Sequence, residues 1–291
     1  MTQIDVELRT VRTVRPGVGT GPRPATRRFA SVSSALVLVL MVVESSVGYL
    51  VHGVYREERW AVAALRGNDL VTLLLVAPLF AVAVTRGRRS DRWRVVWLGG
   101  LLYAVNNFAY YAFGTTFNDV FLLHVSTLGL SIAALVTLTL DLPVQRVTAQ
   151  VVPHRSDRAI ALYMAAIGVA LISAWGGFSL RFATTGELPH DVMPPTAVHL
   201  VYALDMTMLA PAFLAGGVLL WRHRAWGYVF GAAVNLFGAA YLVVLEFVGG
   251  FEANAGIADK TWISPPAIAG AALCALAAVT LLRRLAVATR S

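Results

Sequence analysis

The chain has 291 residues, of which 57% are hydrophobic and only 14% charged, with a mean hydropathy of +0.67. Soluble domains carry about 25% charged residues, so this composition excludes a water-soluble globular fold and implies a large lipid-embedded area. The net charge of +8 does not indicate nucleic acid, because the basic residues recur at the ends of apolar segments instead of forming one patch.

Residues 1–29 carry Arg9, Arg12, Arg15, Arg23, Arg27 and Arg28 among scattered Pro, Gly and Thr. They read as a disordered cytoplasmic tail that anionic lipid headgroups attract. No secretory signal peptide is expected there, since the first apolar run is too long and lacks a small-residue cleavage site. Apolar segments follow at 31–52, 69–85, 94–113, 119–140, 159–180, 197–220, 226–248 and 265–282. Each is near the length of about 20 residues that crosses a bilayer, with 69–85 the shortest and interrupted by Pro78. The loop at 53–68 reads as an amphipathic stretch in the outer interface. Six tryptophans, Trp93, Trp97, Trp175, Trp221, Trp226 and Trp262, fall near predicted span ends, where they are expected as anchors.

Charge fixes the count and orientation. With eight spans and the N-terminus inside, 19 of the 24 basic residues are cytoplasmic, and only Arg56, Arg59, Arg66, Arg181 and Lys260 lie outside. Removing any span would flip every later loop and destroy this asymmetry. The expected fold is therefore an all-α polytopic transmembrane helix bundle of eight spans with both termini cytoplasmic. It comprises the tail 1–29, a transmembrane domain over 30–284 and a short cytoplasmic tail at 285–291, in the cell (plasma) membrane.

A weak 4+4 parallel repeat is also legible. Asp69 and Arg86 bracket the second span as Asp205 and Arg222 bracket part of the sixth; each span holds a proline, Pro78 or Pro211, and is followed by a tryptophan-led helix containing an asparagine. In that alignment the prolines are three residues out of register. Pro211 cannot donate to the Thr207 carbonyl, so the sixth span is expected to loosen just below Asp205.

Ionisable groups inside a bilayer are costly and default to functional candidates. At a rise of about 1.5 Å per residue, Glu44 and Asp205 lie about 12 Å below the outer surface, His124 about 8 Å, and Asn106 and Asn107 about 10 Å. These five, with Tyr202, are the candidate cavity or ligand-binding residues, and their shared depth points to a crevice open to the outside. Asp69, Tyr110, Asp119 and His199 are supporting candidates. Helix capping alone accounts for Asp69 and Asp119 if both sit at outer helix N-termini. Tyr202 is spaced to bond either His199 or Asp205, and Tyr103, Asn107, Tyr110 and Gly114 share one helix face. His124, Thr127 and Ser131 form a second polar stripe.

No HExxH, paired CxxC, Walker loop or Rossmann glycine fingerprint is present. No HxxxH pair or intramembrane lysine occurs either, and the single Cys274 lies in an apolar run. No cofactor is identified, no metal is assigned and no protein partner is specified; the lipid bilayer is the one certain partner class.

Several strings are familiar: Gly53-Val54-Tyr55-Arg56, Gly67-Asn68-Asp69-Leu70-Val71-Thr72-Leu73, Tyr110-Tyr111-Ala112-Phe113-Gly114 with Phe117-Asn118, Leu204-Asp205 ahead of Pro211, and Trp226-Gly227. They resemble a group of uncharacterised multi-pass membrane proteins found in bacteria, across positions 45–250. The resemblance implies a bacterial membrane protein and transfers no catalytic residue. Three functions are compatible with these observations. The first is a small-solute or proton-coupled transporter. The second is a membrane-embedded enzyme, metal-dependent if His124, His199, Asp205, Asp119 and Glu44 gather. The third is a sensor, accessory or scaffold protein in which the polar groups are structural.

Overall fold

The structure, a computed structural model, describes residues 24–187, 195–257 and 261–285. Most of the expected N-terminal tail, the segment 286–291 and Lys260 lie outside the described residues. Helix α1 (Pro24–Leu50) begins ahead of the boundary expected at 30, with a proline in its first turn, where the missing N–H costs nothing. Arg27 is thereby helical and reaches Asp141 at 3.2 Å.

After a short connection, α2 (Arg59–Val71) passes through a π-helical stretch (Thr72–Val76) into α3 (Ala77–Gly87). These pieces make one continuous helix of 29 residues. The loop expected over 53–68 is therefore mostly helix, and Asp69 lies well inside the rod instead of capping its start. Hydropathy misplaced this boundary because Arg66, Asn68 and Asp69 interrupt the apolar run, while Asn68 and Asp69 are buried against protein.

Helix α4 (Asp91–Gly114), α5 (Phe121–Asp141), a short α6 (Val144–Val147) and α7 (Arg155–Thr185) follow. Then α8 (Pro195–Leu204) leads through a second π-helical stretch (Asp205–Leu209) into α9 (Ala210–Trp221), and α10 (Ala225–Asn254) and α11 (Pro265–Arg284) complete the order. The described residues form helices and no strands.

The loosening expected above Pro211 is present, and a second one stands above Pro78. In both places the residue before proline donates five residues back, Ala77 to the Thr72 carbonyl and Ala210 to the Asp205 carbonyl. A proline removes one ladder donor and crowds the preceding turn, and widening that turn to π geometry relieves both.

Among the described residues seven helices are long and apolar enough to cross a membrane, and the chain is a multi-pass integral membrane protein in a lipid bilayer environment. The predicted segment at 94–113 is the exception in composition. It forms α4, long enough at 24 residues, but carries Tyr103, Asn106, Asn107, Tyr110 and Tyr111. Fifteen of its residues are buried, so its surface meets protein where other helices meet lipid. Helices α4 and α10 pack on each other at the centre, with α2, α5, α9 and α11 around them. Leu36, Val39, Leu122, Leu140, Leu162 and Leu276 project outward from the periphery.

Close helix approach accounts for α7 lying along α9: a Cβ at Gly168 would sit 2.9 Å from the Ala210 carbonyl oxygen, and one at Gly217 2.9 Å from that of Ala161. Two ionic clusters close one end of the bundle. Asp141 at the end of α5 binds Arg27 and lies 3.6 Å from Arg94, which also pairs with Asp91 at 3.1 Å. Asp157 at the start of α7 pairs with Arg284 of α11 and accepts from Tyr228 of α10 at 3.0 Å. Arg92 donates to the Leu285 carbonyl at 2.7 Å, which places both clusters at the same end.

Candidate functional site

The polar residues of the spans form connected groups in the half of the bundle away from those clusters. The first joins α1 to α5. Glu44 is 3% exposed; its Oε2 lies 2.5 Å from His124 Nδ1, and Thr127 donates to its Oε1. His124 and Thr127 share a helix face, as their spacing required, and both converge on the one carboxylate. His124 Nε2 is buried with no hydrogen bond to the described residues. Ser131, further along the same stripe, does not join the group.

The second group surrounds Asp69, 1% exposed. Tyr55 donates to its Oδ2 at 2.7 Å, Tyr111 to its Oδ1 at 2.8 Å, and Ser45 supplies a third hydroxyl. Burial, and next to it the Asp69 charge, pushes the Tyr55 hydroxyl well above its ordinary range, so it remains a donor. The Tyr111 ring lies 5.2 Å from the His124 ring, which joins the two groups. Gly48 leaves room for this arrangement, because any Cβ there would collide with the Tyr55 hydroxyl and the Asp69 carboxylate. Gly48→Val is accordingly expected to lower the melting temperature of the purified protein, and an unchanged melting curve would contradict the packing.

One residue away, Asn68 donates to Asn107 Oδ1 at 2.8 Å and accepts from Tyr103 at 3.2 Å and Thr72 at 3.3 Å. Asn68, Asn106, Asn107 and Tyr110 line one wall of a cavity of about 90 Å³, and Asp205 and Tyr241 face it from α8–α10. Asn106 Nδ2 is buried without a hydrogen-bond partner among the described residues. Asp205, 4% exposed, accepts from Trp175 Nε1 at 3.0 Å and from Tyr241.

Of the sequence candidates, Asn106, Asn107, Tyr110 and Asp205 thus share a cavity, while Glu44 and His124 form a pair behind it and Asp69 lies between. Tyr202 bonds neither His199 nor Asp205; it stacks on Trp175 with ring centroids 4.2 Å apart, and its buried hydroxyl makes no hydrogen bond among the described residues. The helical spacing was right, but the ring lies flat on indole and carries the hydroxyl away from both partners. His199 is exposed. Asp119 caps nothing: Asn118 accepts from the Val120 amide instead, and Asp119 forms an exposed pair with Arg56 at 3.2 Å. Among the described residues no three His, Cys, Asp or Glu side chains are placed to hold a metal ion, so His124, His199, Asp205, Asp119 and Glu44 do not form one ligand set.

Sequence reasoning missed Ser45, Tyr55, Asn68, Tyr111, Trp175 and Tyr241. Trp175 was expected as an interface anchor; it is half-buried and turns its Nε1 to Asp205. Trp97 is also buried, donating to Ser34 at 2.9 Å. The available signal was Asn68-Asp69 itself, an adjacent polar pair that a longer helix carries inward. No protein-family model matches the chain, and no curated protein or solved structure matches it either.

Proposed function

We propose that this chain is a proton-coupled small-solute transporter of the plasma membrane, crossing the bilayer eight times with both termini cytoplasmic and its cavity served from the outside. The observation that carries the reading is the run of buried groups from Glu44 and His124 through Asp69 and Asn68 to Asp205. It includes three carboxylates inside apolar helices, and their burial is costly enough that a purely structural bundle would not accumulate them. The 19 cytoplasmic basic residues support the orientation, and the buried α4 supplies the eighth span. The same basic end would face anionic headgroups.

A 4+4 parallel repeat supports the transport reading. Aligning the two π stretches pairs Thr72 with Asp205, Pro78 with Pro211 and Trp93 with Trp226 at one constant offset. The three-residue discrepancy disappears, and Asp69 ceases to be the counterpart of Asp205. The clusters at the basic end correspond too: the start of α1 binds the end of α5 through Arg27 and Asp141, and the start of α7 binds the end of α11 through Asp157 and Arg284 with the charges exchanged. The cavity then lies between halves, each with a broken helix beside it.

Proteoliposomes on a solid-supported membrane, challenged with pH jumps and with a panel of amines, amino acids and carboxylates, test the function. At least one solute is expected to evoke a transient current that depends on the pH gradient and is lost in Asp69→Asn and Asp205→Asn but kept in Glu187→Gln. Silence across the panel, or currents indifferent to both aspartates, would contradict it.

A further inference from the structure

Asp205 and Tyr241 also border a second, larger cavity of about 410 Å³, on the side of the bundle facing α7. Its walls are apolar, formed by residues such as Ile167, Leu171, Leu209 and Phe213, with Trp175 and Tyr202 beside the carboxylate. The two halves differ here. Helix α1 packs along α5, whereas α7 lies on α9 and meets α11 mainly through Asp157–Arg284 and Tyr163–Cys274. Past Cys274, α11 contributes no further lining residue, so the cavity is bounded by α7 on one side and α8–α10 on the other.

The chemistry of the polar end is selective. Asp205 has only neutral donors, an indole N–H and a phenol. Among the described residues no Arg, Lys or His lines either cavity. The Trp175 ring stacks on Tyr202 at 4.2 Å and the Phe178 ring follows at 6.3 Å from Tyr202, which builds an aromatic wall next to the carboxylate. Tyr202 is 7% exposed and its hydroxyl has no hydrogen-bond partner among the described residues. A buried carboxylate with no cation beside it among the described residues, next to an aromatic wall and continuous with an apolar chamber, matches one ligand class: a positively charged head on an apolar body.

We propose that this cavity binds an organic cation of that class, with the charge at Asp205, the aromatic wall at Trp175 and Tyr202, and the apolar body along α7 and α9. The proposal rests on the reading of Asp205 as a ligand-facing group and names the substrate class of the transporter. The shared chemistry, an ammonium on an apolar body, is supplied either by a free lipophilic amine or by a choline or ethanolamine lipid headgroup.

Calorimetric titration of the full chain in a nonionic detergent tests it with tetraphenylphosphonium, and with tetraphenylborate as a probe of similar shape and opposite charge. Tetraphenylphosphonium is expected to bind at one site and tetraphenylborate not at all. Asp205→Asn should weaken binding about 10- to 100-fold, as loss of a charge-assisted contact does. Trp175→Leu should weaken it about 3- to 30-fold, the range of a cation–π contact, and provides the reading if Asp205→Asn does not fold. Equal binding of both probes, or folded variants that bind tetraphenylphosphonium as tightly as the parent, would overturn the site. Competition by phosphatidylcholine or phosphatidylethanolamine but not phosphatidylglycerol assigns the site to a lipid headgroup; no competition by any of them assigns it to a free solute. Binding without transport currents removes the transporter reading and keeps the site, and currents without binding do the reverse.

Discussion

Glu44→Ala is expected to destabilise the protein by about 2–6 kcal/mol, because it leaves two buried polar groups, the His124 ring and the Thr127 hydroxyl, without their partner at about 1–3 kcal/mol each. The substitution takes away the only polar partner that His124 has among the described residues, where its second nitrogen has none, and strands the Thr127 hydroxyl. Glu44→Gln should cost far less, because its amide oxygen still accepts from one neighbour. The combined change Glu44→Leu with His124→Phe should recover most of the loss, since replacing both members of a buried polar pair by apolar groups is often close to neutral. Thermal melting of the purified variants checks the series. A Glu44→Ala protein as stable as the parent would mean that the pair does not exist as described.

Exchanging charges at the basic end gives the second large effect. Asp157 is fully buried and receives Arg284, Tyr228 and the His154 amide. Asp157→Ala leaves Arg284 without its carboxylate and is expected to cost about 3–5 kcal/mol. If the two halves are versions of one unit, the reversed pair Asp157→Arg with Arg284→Asp reproduces the polarity already present at Arg27 and Asp141. The double variant should then be more stable than either single one in a double-mutant cycle. A double variant no better than the sum of its parts would argue against equivalence of the clusters.

Much of the fold was legible because a bilayer restricts what a chain can do. Apolar runs locate most of the helices. Legibility ended where a helix is surrounded by protein. Asn68 looked like loop and Asp69 like the start of a span because hydropathy assumes a lipid-facing surface, yet Tyr55, Tyr111 and Asn107 supply what lipid cannot. Pro211 announced its π stretch correctly through its missing donor. At the site, Asp205, Asn106 and Asn107 were found from depth and do share a cavity. Depth says nothing of direction around a helix, however, and so Glu44 and His124 were grouped with the cavity they stand behind. Asp119 and His199, by contrast, each lie at a span end and face outward. Trp175 and Tyr241 were hidden by their type, because tryptophan and tyrosine in a span are ordinary anchors until a carboxylate is found beside them.

The claim at the centre of the account is that the polar groups between the halves line a path open to the outside. Asn106→Cys in a Cys274→Ser background tests it, using a membrane-impermeant cationic thiol reagent applied to the outer face of intact cells. Asn106→Cys is expected to be modified from that side, while Ala233→Cys, fully buried in α10, remains unreacted. Protection of Asn106→Cys to the same degree as Ala233→Cys, in cells where the parent protein drives solute currents, would contradict it.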